Sequence, residues 1–515
     1  MRHYAVRVAT DVQGVGSEDA PPVSGEPAHF LQLMKQSVVY GTSGVLLQLV
    51  GVVTLPVFAR VFTQAQYGLL ELGITLSSLT IAIADFGFAS AAQRSFYDYG
   101  DADAEERGRV LFTAIAFTTT ISTVVAVALV VGRHMIADAL FDGSHENLVL
   151  VVAAAIPLVN GANFLRETMR LRFRAWHYVI SSVTSAVLSA VIAIVAVVWL
   201  DIGVEAIFLG VICGNALAVA YGLAVVHSDI RRRFSRPELH KMLVYGLPLV
   251  PTAIAGWALA LLDRILLGRL SNLSEVGKYA VANRFSNVLL LVVTGFVLAF
   301  GPYVFSLYSR DRELEKVVRG KTLTYVTIVL ALAGLCLALF AREVVGVIAP
   351  GFEEAYKAVG LLALGVVAIG ISSVVMAGIS ISRRTIYFAV LAGIGVVLNV
   401  GLNLALIPPF GMVGAAAATA AAYALLAALH YRVSQRLYPT PYEPGRVLII
   451  VALASGLGVL GLFTLGPLPL ALTVKALAVA GFLVALRLTG VVEAHELARI
   501  RDLVGGRLRP ARGRA

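Results

Sequence analysis

Charge is scarce in this chain of 515 residues: 14% are Asp, Glu, Lys or Arg, against 58% hydrophobic. A soluble globular protein carries about 25% charged residues, so the scarcity excludes that class. Cysteine is scarcer still. The two thiols, Cys213 and Cys336, each fall in an apolar run and offer neither a disulfide framework nor a metal-ligand spacing. His134, His145 and His177 are scattered over different connectors, so no metal site is expected, and no cofactor motif is present. Gly320-Lys321-Thr322 has the tail of a phosphate loop, but Glu315 stands where its first glycine must be. Residues 1–29 lack a continuous apolar run and are not a cleavable signal peptide; 1–34 reads as a disordered cytoplasmic extension.

What the sequence has in abundance is long apolar runs. Fourteen are expected to form helices, at about 37–60, 67–92, 110–132, 147–165, 178–200, 204–226, 242–268, 276–303, 321–341, 358–381, 386–408, 411–431, 446–466 and 468–488. About 20 residues suffice to cross a bilayer core of about 30 Å. The expected fold class is therefore an all-α polytopic membrane protein. Basic residues cluster on alternate connectors: Arg166, Arg170, Arg172 and Arg174, then Arg231 to Lys241, then Arg310 to Lys321. The other connectors hold only Arg60, Arg133, Arg264, Arg269, Lys278, Arg342 and Lys357. By the positive-inside rule both termini are cytoplasmic, in the cell (inner) membrane. The net charge of +10 reports this topology and not a nucleic-acid partner.

Midpoints of helices one to six and seven to twelve differ by about 210 residues, which argues for an internal duplication. At an offset of 209, Arg60 meets Arg269, Gly68 meets Gly277 and Ser77 meets Ser286. Six helices per copy is an even number, so both lobes run the same way about an axis along the membrane normal. The expected divisions are an N-lobe at 35–226, a linker at 227–241 and a C-lobe at 242–431. Accessory helices thirteen and fourteen occupy 446–488, and a cytoplasmic tail at 489–515 carries a short amphipathic helix within 491–504.

The stretch from Lys241 to Tyr308 concentrates the functional candidates. A charge inside a membrane helix costs at least ~2.5 kcal/mol, so Arg284 must face water, a partner or a ligand. Its planar fork suits phosphate, and Asn287 follows on a similar face. Arg264 and Asn283 complete the expected substrate-contacting set. The alternative is a structural Arg284 bonded to carbonyls or to Asp85. Asp85, within helix two, is the candidate for proton or sodium coupling, or else pairs with Arg94. Asp263 and Arg264 are adjacent and expected to make separate contacts. Asn399 and Asn403, four apart, read as interhelical glue.

Three stretches carry a family likeness: Leu55-Pro-Val-Phe-Ala-Arg60 running on to Tyr67-Gly68; Tyr245-Gly-Leu-Pro248 with Leu262-Asp263-Arg264, Val276-Gly277-Lys-Tyr279 and Asn283-Arg284; and Pro408-Pro-Phe-Gly411-Met-Val-Gly414. They resemble the polysaccharide (lipid-linked oligosaccharide) flippases, of the superfamily that includes multidrug and toxin exporters and lipid II flippases, over residues 35 to 440. The resemblance implies two pseudo-symmetric six-helix lobes in a V around a central cavity that opens alternately to either side. It also implies a non-enzymatic transporter whose partners are the bilayer, an undecaprenyl-diphosphate-linked glycan, and the polymerase and glycosyltransferases of its pathway. The chain lacks the dense cavity arginines of lipid II flippases. A cation-coupled drug exporter and a membrane glycosyltransferase are the alternatives.

Overall fold

The computed structural model describes residues 44–491, apart from 45, 48, 52, 101, 102, 142, 232 and 465. The expected extension at 1–34 lies outside these residues, as does the tail helix expected at 491–504, all but Val491. The described residues form helix after helix: α1 (Leu49–Val61), α2 (Gln64–Asp85), α3 (Phe88–Tyr97), α4 (Ala104–Val131), α5 (Arg133–Leu140), α6 (Glu146–Leu171), α7 (Ala175–Val198), α8 (Glu205–Val226) and α9 (Arg236–Gly246). There follow α10 (Val250–Leu270), α11 (Leu273–Arg310), α12 (Arg312–Ile348), α13 (Tyr356–Ile381), α14 (Ile386–Leu437), α15 (Pro444–Gly458) and α16 (Leu468–Leu488).

Among the described residues twelve helices are long and apolar enough to cross a membrane. The difference from fourteen has two sources. The first expected helix begins on residues that are not described, leaving the short α1. α14 counts once but runs 52 residues, which at 1.5 Å per residue is about 78 Å, far more than one crossing needs. It folds back at Gly411, whose φ of 54° and ψ of −131° interrupt the helix just after Pro408 and Pro409. A Cβ on Gly414 would collide with the carbonyl of Leu406, so eight residues of chain reverse direction. Glu275 on α11 then accepts the Met412 amide N–H at 2.8 Å and caps the second limb. The chain is a multi-pass membrane protein.

Helix two is also broken. α2 stops at Asp85 and α3 starts at Phe88, with Phe86 and Gly87 both at positive φ. Arg166 and Arg170 lie inside α6 and not in a connector.

The duplication is visible as reciprocal contacts. Arg60, closing α1, donates to the carbonyl of Val347 at 3.4 Å, and Arg269, closing α10, donates to the carbonyl of Asp138 at 2.8 Å. Positions 60 and 269, and 138 and 347, are each 209 apart. The same register governs the helix crossing: a Cβ on Gly68 would strike the carbonyl of Leu273, and one on Gly277 would strike that of Gln64. Only glycine lets the two backbones touch there. A pseudo-two-fold axis therefore passes between Gly68 of α2 and Gly277 of α11. We call this the hairpin end of the molecule, because the turns from α1 to α2 and from α10 to α11 both lie there; the opposite end, carrying segment 227–241, is the linker end.

One buried core seals the hairpin end with residues of both halves, among them Phe58, Tyr67, Leu70, Phe141, Val276, Tyr279 and Phe352. Toward the linker end that core does not continue, and the halves meet in smaller contacts, among them Gly87 against Gly246 and Phe88 with Met242. From Asn287 onward α11 exposes Val288, Val292 and Leu298. The indole N–H of Trp257 on α10 meets the Ser78 hydroxyl on α2 at 3.0 Å, holding the halves together at that depth.

Beyond α14 the chain is tied to α12. Arg319 is completely buried, ion-paired with Glu315 at 2.9 Å, and donates to the Thr440 hydroxyl. Its guanidinium lies 4.9 Å from the centre of the Tyr438 ring. Burial pushes the Tyr438 and Tyr442 phenols up to about 12, so both keep their protons at neutral pH, and Tyr438 donates to Glu315 at 3.1 Å. Lys475 of α16, 1% exposed, pairs with Glu343 of α12 at 2.5 Å. Gly320, far from any phosphate loop, packs inside α12 against Pro441.

Candidate functional site

Where the seal ends, four charges meet inside the membrane. Glu71 on α2, and Asp263 and Arg264 on α10, are all buried, and Arg284 on α11 joins them. Two carboxylates against two guanidiniums make the group neutral. Arg264 sits at its centre. Its Nε meets Glu71 at 2.8 Å, its Nη1 meets Asp263 at 2.8 Å and donates to the Ala260 carbonyl at 2.6 Å, and the group faces the Tyr279 ring at 5.5 Å. The other oxygen of Asp263 accepts from the Tyr279 hydroxyl and, at 3.3 Å, from Thr419 on α14.

The expectation that Asp263 and Arg264 make separate contacts is thus overturned. Their Cα–Cβ vectors diverge around the helix, but the arginine stem is long enough to curl back along its own turn, its Nη1 reaching both the i−4 carbonyl and the neighbouring carboxylate. Burial forces this, since a desolvated guanidinium needs every oxygen within reach.

Arg284 is held more loosely. Its Nη2 lies 4.0 Å from the second oxygen of Glu71, its Nε has no partner, and Tyr67 is the other group that faces it. Although ringed by protein, its side chain is 35% exposed. Eleven residues separate it from the start of α11, about 17 Å along the helix. Its carboxylate partner is Glu71 and not Asp85. Asn287 is exposed on the same helix, and Asn283 is half-buried beside it.

Asp85 is elsewhere. It ends α2, where the backbone N–H groups of Gly87 and Ala89 at the start of α3 face it, and no ion pair joins it to Arg94. From Glu71 to Asp85 is fourteen residues, about 21 Å along α2, so the structure does not bring Asp85 to Arg284. Asn403 donates to the carbonyl of Asn399 at 2.8 Å and to its side chain at 3.0 Å; both are buried. Among the described residues no three His, Cys, Asp or Glu side chains converge as a metal ion requires.

Sequence reasoning missed Glu71. Its signal was the one that exposed Arg284, an ionisable residue within an apolar run. Tyr67, Trp257, Tyr279 and Thr419 carried no such signal.

The profile described as polysaccharide biosynthesis protein matches residues 33–308, more than half of the chain, and includes Glu71, Arg264 and Arg284. The chain belongs to this family. Among curated relatives, the probable low-salt glycan biosynthesis flippase Agl15 of Haloferax volcanii is 24% identical over 385 residues, 72% of this chain and 77% of that protein. The succinoglycan biosynthesis transport protein ExoT of Rhizobium meliloti is 24% identical over 315 residues, 61% of this chain and 62% of its own length. In fold the family member is similar to the lipid II flippase MurJ in an inward closed conformation, with a TM-score of 0.68 at 15% identity, covering 86% of this chain and 98% of that one. An inward-facing multidrug resistance MATE transporter matches with a TM-score of 0.66 at 14% identity, covering 78% and 97%.

Proposed function

We propose that this protein is a flippase that moves a polyprenyl-diphosphate-linked oligosaccharide from the inner to the outer leaflet of the cell membrane, with no covalent chemistry. The observation that carries the reading is the contrast between two arginines at one depth. Arg264 is fully neutralised at 2.8 Å by two carboxylates, whereas Arg284 keeps an unpartnered Nε, a third of its side chain open, and its nearest carboxylate at 4.0 Å. A diphosphate has two or more negative charges and cannot cross hydrocarbon unaided, so it needs such a partly open, incompletely paired guanidinium within the membrane. In this reading Arg264 holds the lobes together, and Arg284, with Asn283 and Asn287, receives the head group. With both termini cytoplasmic, the sealed hairpin end faces outward and the cleft faces the leaflet where the substrate is made. Separation of α2 from α11 at the Gly68–Gly277 crossing then releases Arg284 from Glu71 and reopens the cleft on the other side. Flippases and transporters of glycan biosynthesis among the relatives support the substrate class.

The test is deletion of the gene with analysis of lipid-linked intermediates by leaflet. A diphosphate-linked glycan is expected to accumulate on the inner leaflet, relieved by the wild-type gene and by Arg284→Lys in part, but not by Arg284→Ala. Full rescue by Arg284→Ala overturns the role of Arg284. Unchanged glycan with lost drug resistance replaces the reading by that of a drug exporter.

A further inference from the structure

Arg166 has no carboxylate partner. Arg166 lies on α6, five residues from its end at Leu171, one residue before Glu167. Its Nη1 donates to the Asn163 side-chain oxygen at 2.9 Å and its Nη2 to that of Asn215 on α8 at 3.3 Å, while its buried Nε has no partner. Tyr178 on α7 is the remaining neighbour that its charge feels. Both amides are neutral. They accept from two of five N–H groups and leave the positive charge whole.

The carboxylates of Arg166's own turn and of the adjoining linker are committed elsewhere, and no ion pair joins Arg166 to Asp85. Glu167 pairs with Arg170 at 2.6 Å, and Asp229 takes Arg172 at 2.8 Å and Arg174 at 2.9 Å. Arg264, Arg319 and Lys475, the buried cations of the rest of the molecule's helices named above, each have a carboxylate within 2.9 Å. A half-buried cation in a membrane helix, given amide acceptors but no acid, is arranged to receive an anion from outside the chain. Access exists: Asn163 is exposed, and its own NH2 group is not engaged in any hydrogen bond that the structure shows, so it adds a donor beside the guanidinium. Asn215, by contrast, spends its amide on the carbonyl of Val211 at 2.9 Å and is fixed as an acceptor.

We propose that Arg166, with Asn163 and oriented by Asn215, is a binding site for a phosphoryl anion at the linker end of the N-lobe. Glu167, the next residue, lies in the electrostatic neighbourhood of Asp85, which ends α2 fourteen residues, about 21 Å along the helix, from the Glu71 that meets Arg284. The two sites are therefore distinct, and the second does not require the first to act in transport. Two sources share the chemistry: the diphosphate of a polyprenyl glycolipid, and the head group of an anionic phospholipid.

The experiment uses the full chain, purified in a zwitterionic detergent, with Arg284→Gln in the background so that the first site is silent. Inorganic pyrophosphate, farnesyl diphosphate and phosphatidylglycerol are the probes, and native mass spectrometry reads the bound species. At least one probe is expected to bind with a stoichiometry of one and to weaken roughly tenfold or more on adding Arg166→Gln, the loss of a charge-assisted pair. Asn215→Asp is the second variant: it keeps the shape, supplies the missing carboxylate beside Arg166, and is expected to expel the same probe. Loss confined to the diphosphates assigns the site to the glycolipid, and loss confined to phosphatidylglycerol assigns it to a lipid head group. Binding that is equal in the background, Arg166→Gln and Asn215→Asp proteins overturns the site, as does the absence of binding by all three probes. Failure here leaves the leaflet analysis of Arg284→Ala untouched, so the two readings stand or fall apart.

Discussion

Replacing either glycine at the pseudo-two-fold crossing should prise open the hairpin end. A methyl group on Gly68 would sit well inside contact distance of the Leu273 carbonyl, and one on Gly277 inside that of Gln64; backbone oxygens in helices cannot swing away as a side-chain end can. The helices must separate, and overpacking of this kind costs about 1–3 kcal/mol. All of that cost falls on the state in which α2 and α11 touch, so the open fraction should rise roughly 5- to 150-fold. Ala280 on α11 is 1% exposed behind the crossing. With Cys213 and Cys336 changed to alanine, Ala280→Cys should label with a charged maleimide at a rate proportional to the open fraction, hence faster by that factor in Gly68→Ala and in Gly277→Ala. The two collisions are images of each other, so the two rates should agree within about threefold. The double variant should gain much less than the product, because one separation relieves both clashes. An unchanged rate, or an effect of one glycine without the other, refutes the reasoning.

Glu71→Gln removes the carboxylate shared by two arginines; Arg264 keeps Asp263, so the loss should sit near the lower end of the 3–5 kcal/mol typical of a broken buried pair, read as a fall in melting temperature in detergent. A variant as stable as wild type would show the quartet to be solvated. Asp85→Asn should preserve both fold and transport, since asparagine caps a helix about as well as aspartate; transport that loses its dependence on a proton or sodium gradient in this variant would instead establish Asp85 as the coupling residue. Arg319→Ala should destabilise by about 3–5 kcal/mol by stranding Glu315, and Arg319→Met with Glu315→Gln should recover part of that stability in the same melting assay.

The legible parts of this fold were those written in hydropathy and in period. Apolar runs gave the helices, and the 209-residue register, weak as a set of identities, named the very residues that touch across the axis: Gly68 with Gly277, Arg60 with Arg269 as equivalent clasps. The apolar runs put a boundary between 408 and 411, and the backbone turns at Gly411, although no pattern foretold that Glu275 caps the turn. Charges were legible singly and not in pairs. Arg284 declared itself by standing in an apolar run, but which acid faces it depends on how two helices 200 residues apart are rotated, and periodicity does not encode that rotation. The Asp263–Arg264 pair shows the same limit on a smaller scale, because spacing along a helix describes where side chains start and not where long ones end.

Arg60 of the first half anchors to the second half at Val347, and Arg269 of the second anchors to the first at Asp138, so each half lends its arginine to a carbonyl of the other. Because the same bond is exchanged in both directions, the joint does not depend on the covalent link between the halves; the halves nonetheless differ at the site, where Glu71 of one stands at the position that Ala280 holds in the other.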